Sequence, residues 1–401
     1  MHRIIFIQFP QPMNKILPFI VVAQFLSTSL WFAGNAVLPD IITAFDLPAG
    51  YLAHITSAVQ FGFISGTLVF ALFTIADRFS PSRVFFASSL LAALFNLGVL
   101  LPGNESAGIL LFRFAAGFFL AGIYPVGMKI ASDYFQKGLG KSLGLLVGAL
   151  VLGTAFPHLL KNFTSHLPWK LVIITTSFLS VLGGFIILLG VPDGPFRKKS
   201  NQFNWKTFLI SFRDRHFRSA AFGYFGHMWE LYTFWAFVPV MLFTYQQNFP
   251  GENFDIPLLS FFIIASGGLA CFISGWISND VGVKKLATIC LFLSCICCLI
   301  SPWLLFVVPV NLFIIFLLFW GMVVVADSPL FSTLVANNAS PEYRGTSLTI
   351  VNCIGFSITI ISIQFINLAG SYFGKYIFML LSIGPILGLV ALLMKPRNNA
   401  N

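Results

Sequence analysis

The sequence has 401 residues, of which 57% are hydrophobic and only 9% are charged. Soluble domains carry about 25% charged residues, so this composition excludes a water-soluble fold of the same length, whose surface would have to be apolar. The net charge of +10 does not point to nucleic acid either, because the Lys and Arg residues fall in short stretches between apolar runs, the pattern of membrane orientation.

A membrane-spanning helix needs about 20 apolar residues. In chain order, apolar runs occupy residues 16–39, 52–76, 84–102, 107–131, 142–160 and 170–191. A polar, basic stretch follows, and then come runs at 219–245, 256–278, 286–306, 309–333, 346–368 and 374–394. The fold class expected is an all-α integral membrane protein of twelve crossings. Residues 1–192 form a first six-helix bundle, 193–218 a linker and 219–401 a second bundle. The first run passes into WFAGNAVLP without a small-x-small cleavage site, so no cleavable signal peptide is expected. Met13 is an alternative start, since MNKILPF opens the run directly.

Most of the 23 Lys and Arg residues fall on one side of these crossings. That side holds Arg3, Lys15, Arg78, Arg83, Lys137, Lys141, Arg197 to Lys199, Lys206, Arg213, Arg215, Arg218, Lys284, Lys285, Arg344, Lys395 and Arg397, against Lys161, Lys170 and Lys375 on the other. Both termini and the linker are therefore expected in the cytoplasm. All six cysteines lie in apolar runs of the second half and fit no zinc spacing; they read as small buried hydrophobes.

The two halves echo each other. YPVGMKIASDYFQKGLGKSLG, from Tyr124, is answered 204 residues later by SPLFSTLVANNASPEYRGTSLT, from Ser328, with Pro125 matching Pro329. ADRFSPSR (Ala76–Arg83) is answered by NDVGVKK (Asn279–Lys285). A repeated six-helix unit is a signature of transporters, in which two bundles rock about a shared midplane site.

With these motifs in view, the chain resembles the major facilitator superfamily over nearly its whole length. SLWFAGNAVLPD, SAVQFGFISGTL and GYFGHMWELY resemble more loosely the bacterial permeases of the cyanate and nitrate/nitrite group. The family's loop signature, Gly-x-x-x-Asp-Arg-x-Gly followed by basic residues, is met by Asp77, Arg78 and Arg83, with Phe73 and Ser80 in place of the glycines. In the second half Gly275 and Gly282 match, while Asn279 stands at the acid and Asp280 follows it. The resemblance implies a cytoplasmic gate latch at these loops. The family's fourth-helix Arg and Gly match Arg113 and Gly117; its proline-glycine antiporter signature in helix 5 is not met.

Charges inside the membrane are costly and face the bundle interior. Glu230 and Asp327 lie deep in runs, as do Arg113 and Lys129. His227 and Glu230, three apart, share a helix face, and we expect them to form a proton-binding station beside a central opening, with Asp327 a further proton site or a partner of Lys129. Gln24, Thr28, Trp31 and Asn35, spaced four, three and four, form a polar stripe on the first helix. With Gln60, Tyr232, Trp235 and Arg113, the residues Thr28, Trp31 and Asn35 are the expected substrate cavity. The resemblance places helices 1, 4, 7 and 10 around that cavity.

The function expected is secondary active transport of a small solute, an inorganic or organic anion among the candidates, by alternating access with proton-coupled uptake. Export of a metabolite or drug, and a membrane receptor that has lost transport, are the alternatives. No nucleophile–base pair, metal-ligand spacing or phosphate loop points to an enzyme. No cofactor and no nucleic-acid partner is expected. The partners expected are a small-molecule substrate, protons and the lipid of a bacterial inner membrane, with the protein acting as a monomer.

Overall fold

A computed structural model describes residues 13–48, 50–135, 139–164, 166–197, 211–339 and 344–394. Arg3, Lys137, Lys198, Lys199, Lys206, Lys395, Arg397 and Met1 lie outside the described residues. The described chain is helical and contains no strand. This follows from the composition, since a lipid-embedded backbone must satisfy its polar groups internally.

The first crossing is a broken rod made of α1 (Met13–Thr28), α2 (Ala33–Ala36) and α3 (Leu38–Phe45). Then come α4 (Tyr51–Leu72), the short α5 (Ile75–Arg78), α6 (Pro81–Gly98), α7 (Ser106–Leu120), α8 (Tyr124–Tyr134), α9 (Leu139–Phe163) and α10 (Lys170–Gly190). The second half holds α11 (Arg215–Asn248), α12 (Ile256–Val281), α13 (Val283–Phe306), α14 (Val310–Ala326), α15 (Ser328–Asn338) and α16 (Arg344–Phe373). A 3-10 segment, Gly374–Ser382, leads into α17 (Ile383–Leu393).

Among the described residues, eight helical runs are long and apolar enough to cross a membrane. One of them, Gly345–Leu393, makes two crossings, because the chain reverses at Gly374, whose φ of 49° is left-handed. The reversal is visible against α11. Gly355 and Thr359 meet Tyr224 and Met228 in parallel order. Leu380 and Ala391 then meet Trp229 and Ser219 in the opposite order. The broken first rod, the 18-residue α6 and the more polar α11 complete the twelve crossings. α11 begins at Arg215, inside the stretch read as linker, because Asp214 caps it by accepting from the Phe217 amide at 2.8 Å.

The sequence repeat is a structural repeat. The fourth crossing breaks at residues 121–123 and the tenth at Asp327. In each, a proline (Pro125, Pro329) opens the helix that follows, where its missing N–H costs nothing. The helix crossings repeat as well. A Cβ on Gly117 would lie 2.1 Å from the Val59 carbonyl oxygen, and one on Gly321, 204 residues on, 2.2 Å from that of Ile263. Only glycine lets α7 approach α4, and α14 approach α12, so closely. The halves meet through α4 against α16 and α9 against α12.

Candidate functional site

The midplane between the halves is filled with aromatic rings. Trp31 lies in the turn between α1 and α2. It packs on Phe63 of α4 at 4.7 Å between centroids, on Tyr232 of α11 at 5.7 Å and on Phe356 of α16 at 5.9 Å. Trp235, one turn beyond Tyr232, meets it at 5.0 Å and reaches Phe32 at 6.3 Å. Residues from both halves thus close on one another, and all six rings are buried.

The polar groups around this cluster are unusual. The indole nitrogens of Trp31 and Trp235, both amide atoms of Gln60 and Gln24, and Asn35 Oδ1 are buried without a hydrogen-bond partner. A buried group left unpaired costs about 1–3 kcal/mol, so a set of this size marks a place where water or a ligand supplies the partners. Gln60 lies on the face of α4 that packs against the break in the first rod. Its neighbours on the same face of α4 are Thr56, whose hydroxyl accepts from Asn35 Nδ2 at 2.7 Å, and Phe63, which packs on Trp31. Gln24 lies nearer the basic end, against α8; a Cβ on Gly127 would sit 2.3 Å from its Oε1.

The stripe expected on the first helix is only partly met. Its spacing assumes a continuous helix, whereas the rod breaks at residues 29–32. Thr28 hydrogen-bonds the Gln24 carbonyl of its own helix at 2.8 Å and offers nothing outward. Trp31 does reach the second half, whereas Asn35 donates to Thr56 within the first. Arg113 corrects a second expectation. It is completely buried and does not line the cluster as a free cation. Its guanidinium donates to Asn96 Oδ1 at 2.6 Å and to the carbonyls of Leu30 and Trp31 at 3.1 and 2.6 Å. The break in the first rod frees those carbonyls, and Arg113 satisfies them.

His227 and Glu230 do not form the expected station. His227 turns to Asp327, with Nδ1 2.8 Å from the carboxylate oxygen Oδ1, and the side chains are 1% exposed. Asp327 sits at the break of the tenth crossing, at the N-cap position of α15 without a side-chain capping bond, where the helix dipole favours a carboxylate by roughly 0.3–1 kcal/mol. The imidazole lies beside the rings of Tyr224 and Phe331, and its Nε2 has no partner. Glu230 faces away from any central opening. Its Oε1 accepts from Ser294 and Cys298 of α13 and from the Trp320 indole of α14 at 2.7 Å, in a sealed seam. The reason is geometric: three residues on a helix leave two side chains about 60° apart, enough for each to find a different neighbour.

At the basic end, Lys129 bonds Asp77 at 3.0 Å and Asp133 at 3.4 Å, not Asp327. Arg197, beyond α10, pairs with Asp193 and donates to the carbonyls of Asp77 and Phe79 at 3.0 and 2.7 Å. The first-half loop is therefore tied down on two sides. Arg78 and Arg83 are exposed and make no ion pair among the described residues. In the second half Asp280 is exposed and likewise unpaired. Gly275 has open space around it, and Gly282 is required by its φ of 91°. That loop turns at Gly282 and carries no ion pair among the described residues.

Several residues here escaped the sequence reading. Phe63 and Phe356 are two among 48 phenylalanines with no local mark. Ser294, Cys298, Trp320 and Asn96 become partners only through packing. The Pro192–Arg197 strap carried a signal, an acid four residues before a base at the end of an apolar run, that was absorbed into the linker.

The family model described as Major Facilitator Superfamily matches residues 20–363. No curated protein matches the chain. Among solved structures, the human organic anion transporter MFSD10 (TETRAN) superposes with a TM-score of 0.75 at 14% identity, over 96% of this chain and 100% of that one. The twelve crossings, the repeated helix breaks and the match over most of the sequence give one conclusion: this chain belongs to the Major Facilitator Superfamily.

Proposed function

We propose that this protein is a proton-coupled secondary transporter that takes up a small solute across a bacterial inner membrane by alternating access. Its bundles are residues 1–192 and 219–401, and both termini and the linker face the cytoplasm. The observation that carries the reading is the buried His227–Asp327 pair at the break of the tenth crossing. With one proton the pair is neutral overall and tolerates a dry seam. Without it, an uncompensated carboxylate remains, and burying such a charge is strongly unfavourable. Proton release therefore requires water to reach Asp327, which links protonation to opening of the helices around it.

The same rod carries both sites. Tyr232 and Trp235 follow His227 on α11 by five and eight residues, about 7.5 and 12 Å along the axis at 1.5 Å per residue. A tilt of α11 that wets the pair also moves two rings of the aromatic cluster. The cluster is the element that occludes the substrate. Glu230, satisfied by three donors, holds α11 to α13 and α14 and takes no part in coupling.

Right-side-out vesicles from cells expressing the chain test this reading. An imposed inward proton gradient is expected to accelerate uptake of a transported solute above empty-vector vesicles, with solute-dependent proton entry reported by an internal pH dye. Solute uptake indifferent to the gradient, with no proton movement, would contradict the coupling.

A further inference from the structure

The interface cluster also carries information about the shape and charge of what it holds; this inference rests on the transport reading above. Trp31 stands on one half, and Tyr232 and Phe356 on the other. Their planes are near parallel to that of Trp31, at 25° and 26°, with centroids 5.7 and 5.9 Å apart. Carbon atoms in contact lie about 3.5–4.0 Å apart, so a flat ring inserted between two others needs outer planes about 7 Å apart. The centroid distances include the lateral offset of rings already in contact, so the slot opens only as the halves part by about the thickness of one aromatic layer, about 3.5 Å. A puckered, saturated ring is thicker and does not fit a slot set by one aromatic layer.

The polar atoms around the rings are mixed and uncharged. Trp31 and Trp235 offer N–H donors, Asn35 Oδ1 an acceptor, and Gln60 both a donor and an acceptor, all buried and unpartnered. The buried charged side chains make their contacts with groups outside the rings: the terminal nitrogens of Arg113 donate to Asn96 and two backbone carbonyls, Asp327 pairs with His227, and Glu230 accepts from Ser294, Trp320 and Cys298. A charged ligand in the slot would have to draw one of these groups off its present partners, which are themselves buried and costly to leave unpaired. A carboxamide pairs bidentately with a planar edge that presents one acceptor and one donor side by side.

We infer that the Trp31–Tyr232–Phe356 slot, with Gln60 at its edge, binds a neutral planar ring bearing adjacent N–H and C=O groups, a cyclic or ring-attached amide, in place of the anion that the sequence suggests. The test is binding to the purified full-length protein, read by tryptophan fluorescence and by the rise in Tm that a ligand specific to the folded state produces. The probes are uracil, 2-pyridone and nicotinamide. The comparators are 5,6-dihydrouracil, which keeps the amide edge but loses the flat ring, and benzoate and nitrate, which carry charge.

At least one planar amide is expected to bind about tenfold or more tightly than dihydrouracil, benzoate and nitrate, a difference of about 1.4 kcal/mol. Gln60→Leu and Trp31→Leu are expected to weaken that binding by at least about tenfold, while Phe61→Leu, on the exposed face of α4, leaves it unchanged. If either slot variant lacks the unliganded Tm of the parent, the probe series on the unaltered protein decides. Equal or tighter binding of dihydrouracil, benzoate or nitrate overturns the inference, as does failure of every planar amide to bind. Binding without proton-linked uptake would leave the slot chemistry standing and remove the transport reading. Proton-linked uptake of nitrate or a carboxylate would do the reverse.

Discussion

Replacing Asp327 by Asn is expected to leave solute exchange intact and to abolish accumulation. The side chain keeps its size, so the break of the tenth crossing keeps its shape. An amide, however, does not take up and release a proton as the carboxyl does, and the partner His227 then faces a permanently neutral group. One proton moved through 100 mV supplies about 2.3 kcal/mol, which sustains roughly a fifty-fold solute gradient at 0.59 kcal/mol per RT. The variant should lose that gradient entirely, while counterflow of labelled against unlabelled solute continues. His227→Gln should behave alike. Glu230→Gln is the matched control: it keeps an acceptor oxygen for Ser294 and Trp320 in the sealed seam and is expected to accumulate solute. If Glu230→Gln loses accumulation and Asp327→Asn does not, the proton site has been placed on the wrong carboxyl.

Arg113 carries the second large effect. Its three hydrogen bonds tie α7 to Asn96 of α6 and to the Leu30 and Trp31 carbonyls at the break of the first rod. Arg113→Ala leaves three acceptors buried and unpaired, each costing about 1–3 kcal/mol. The expected result is a strongly lowered Tm and little folded protein after extraction. Arg113→Lys keeps the charge but not the planar fork that serves a side-chain oxygen and two carbonyls together. It should recover folding in part, yet transport poorly, because the Trp31 carbonyl is held in register by that fork and its ring forms one wall of the cluster. An Arg113→Ala protein with the parent Tm would show that the break is held by something else.

The crossings were legible because lipid imposes a simple rule: apolar residues run for the thickness of a bilayer, and basic residues gather at one end. The repeat was legible because two prolines 204 residues apart open equivalent helices. Glu230, Asp327 and Arg113 announced themselves as charges in apolar surroundings. What they touch was not legible. His227 and Glu230 share a face only to within about 60°, and the choice of Asp327 for one and Ser294 for the other belongs to α13, α14 and the tenth-crossing break, far off in sequence. The same limit hid the fate of Arg113. Its partner Asn96 sits in a run read only as apolar, and the first rod's break, which frees the carbonyls, lies in a stretch whose spacing suggested an unbroken helix. Gly117 and Gly321 stand between these extremes, since their residue type signals close packing while the partner carbonyl emerges only from the crossing.

The claim on which the rest depends is that the two halves part around the aromatic cluster, first at one end and then at the other. Spin labels placed on the exposed positions Ser132 and Asn337 report the basic end, and labels on Thr43 and Gln247 the opposite end; the six native cysteines are buried. Pulsed electron resonance across acidic and neutral pH, with and without a bound ligand, should show one distance lengthening as the other shortens. Distances that stay fixed under every condition, or that lengthen together at both ends, would contradict the account.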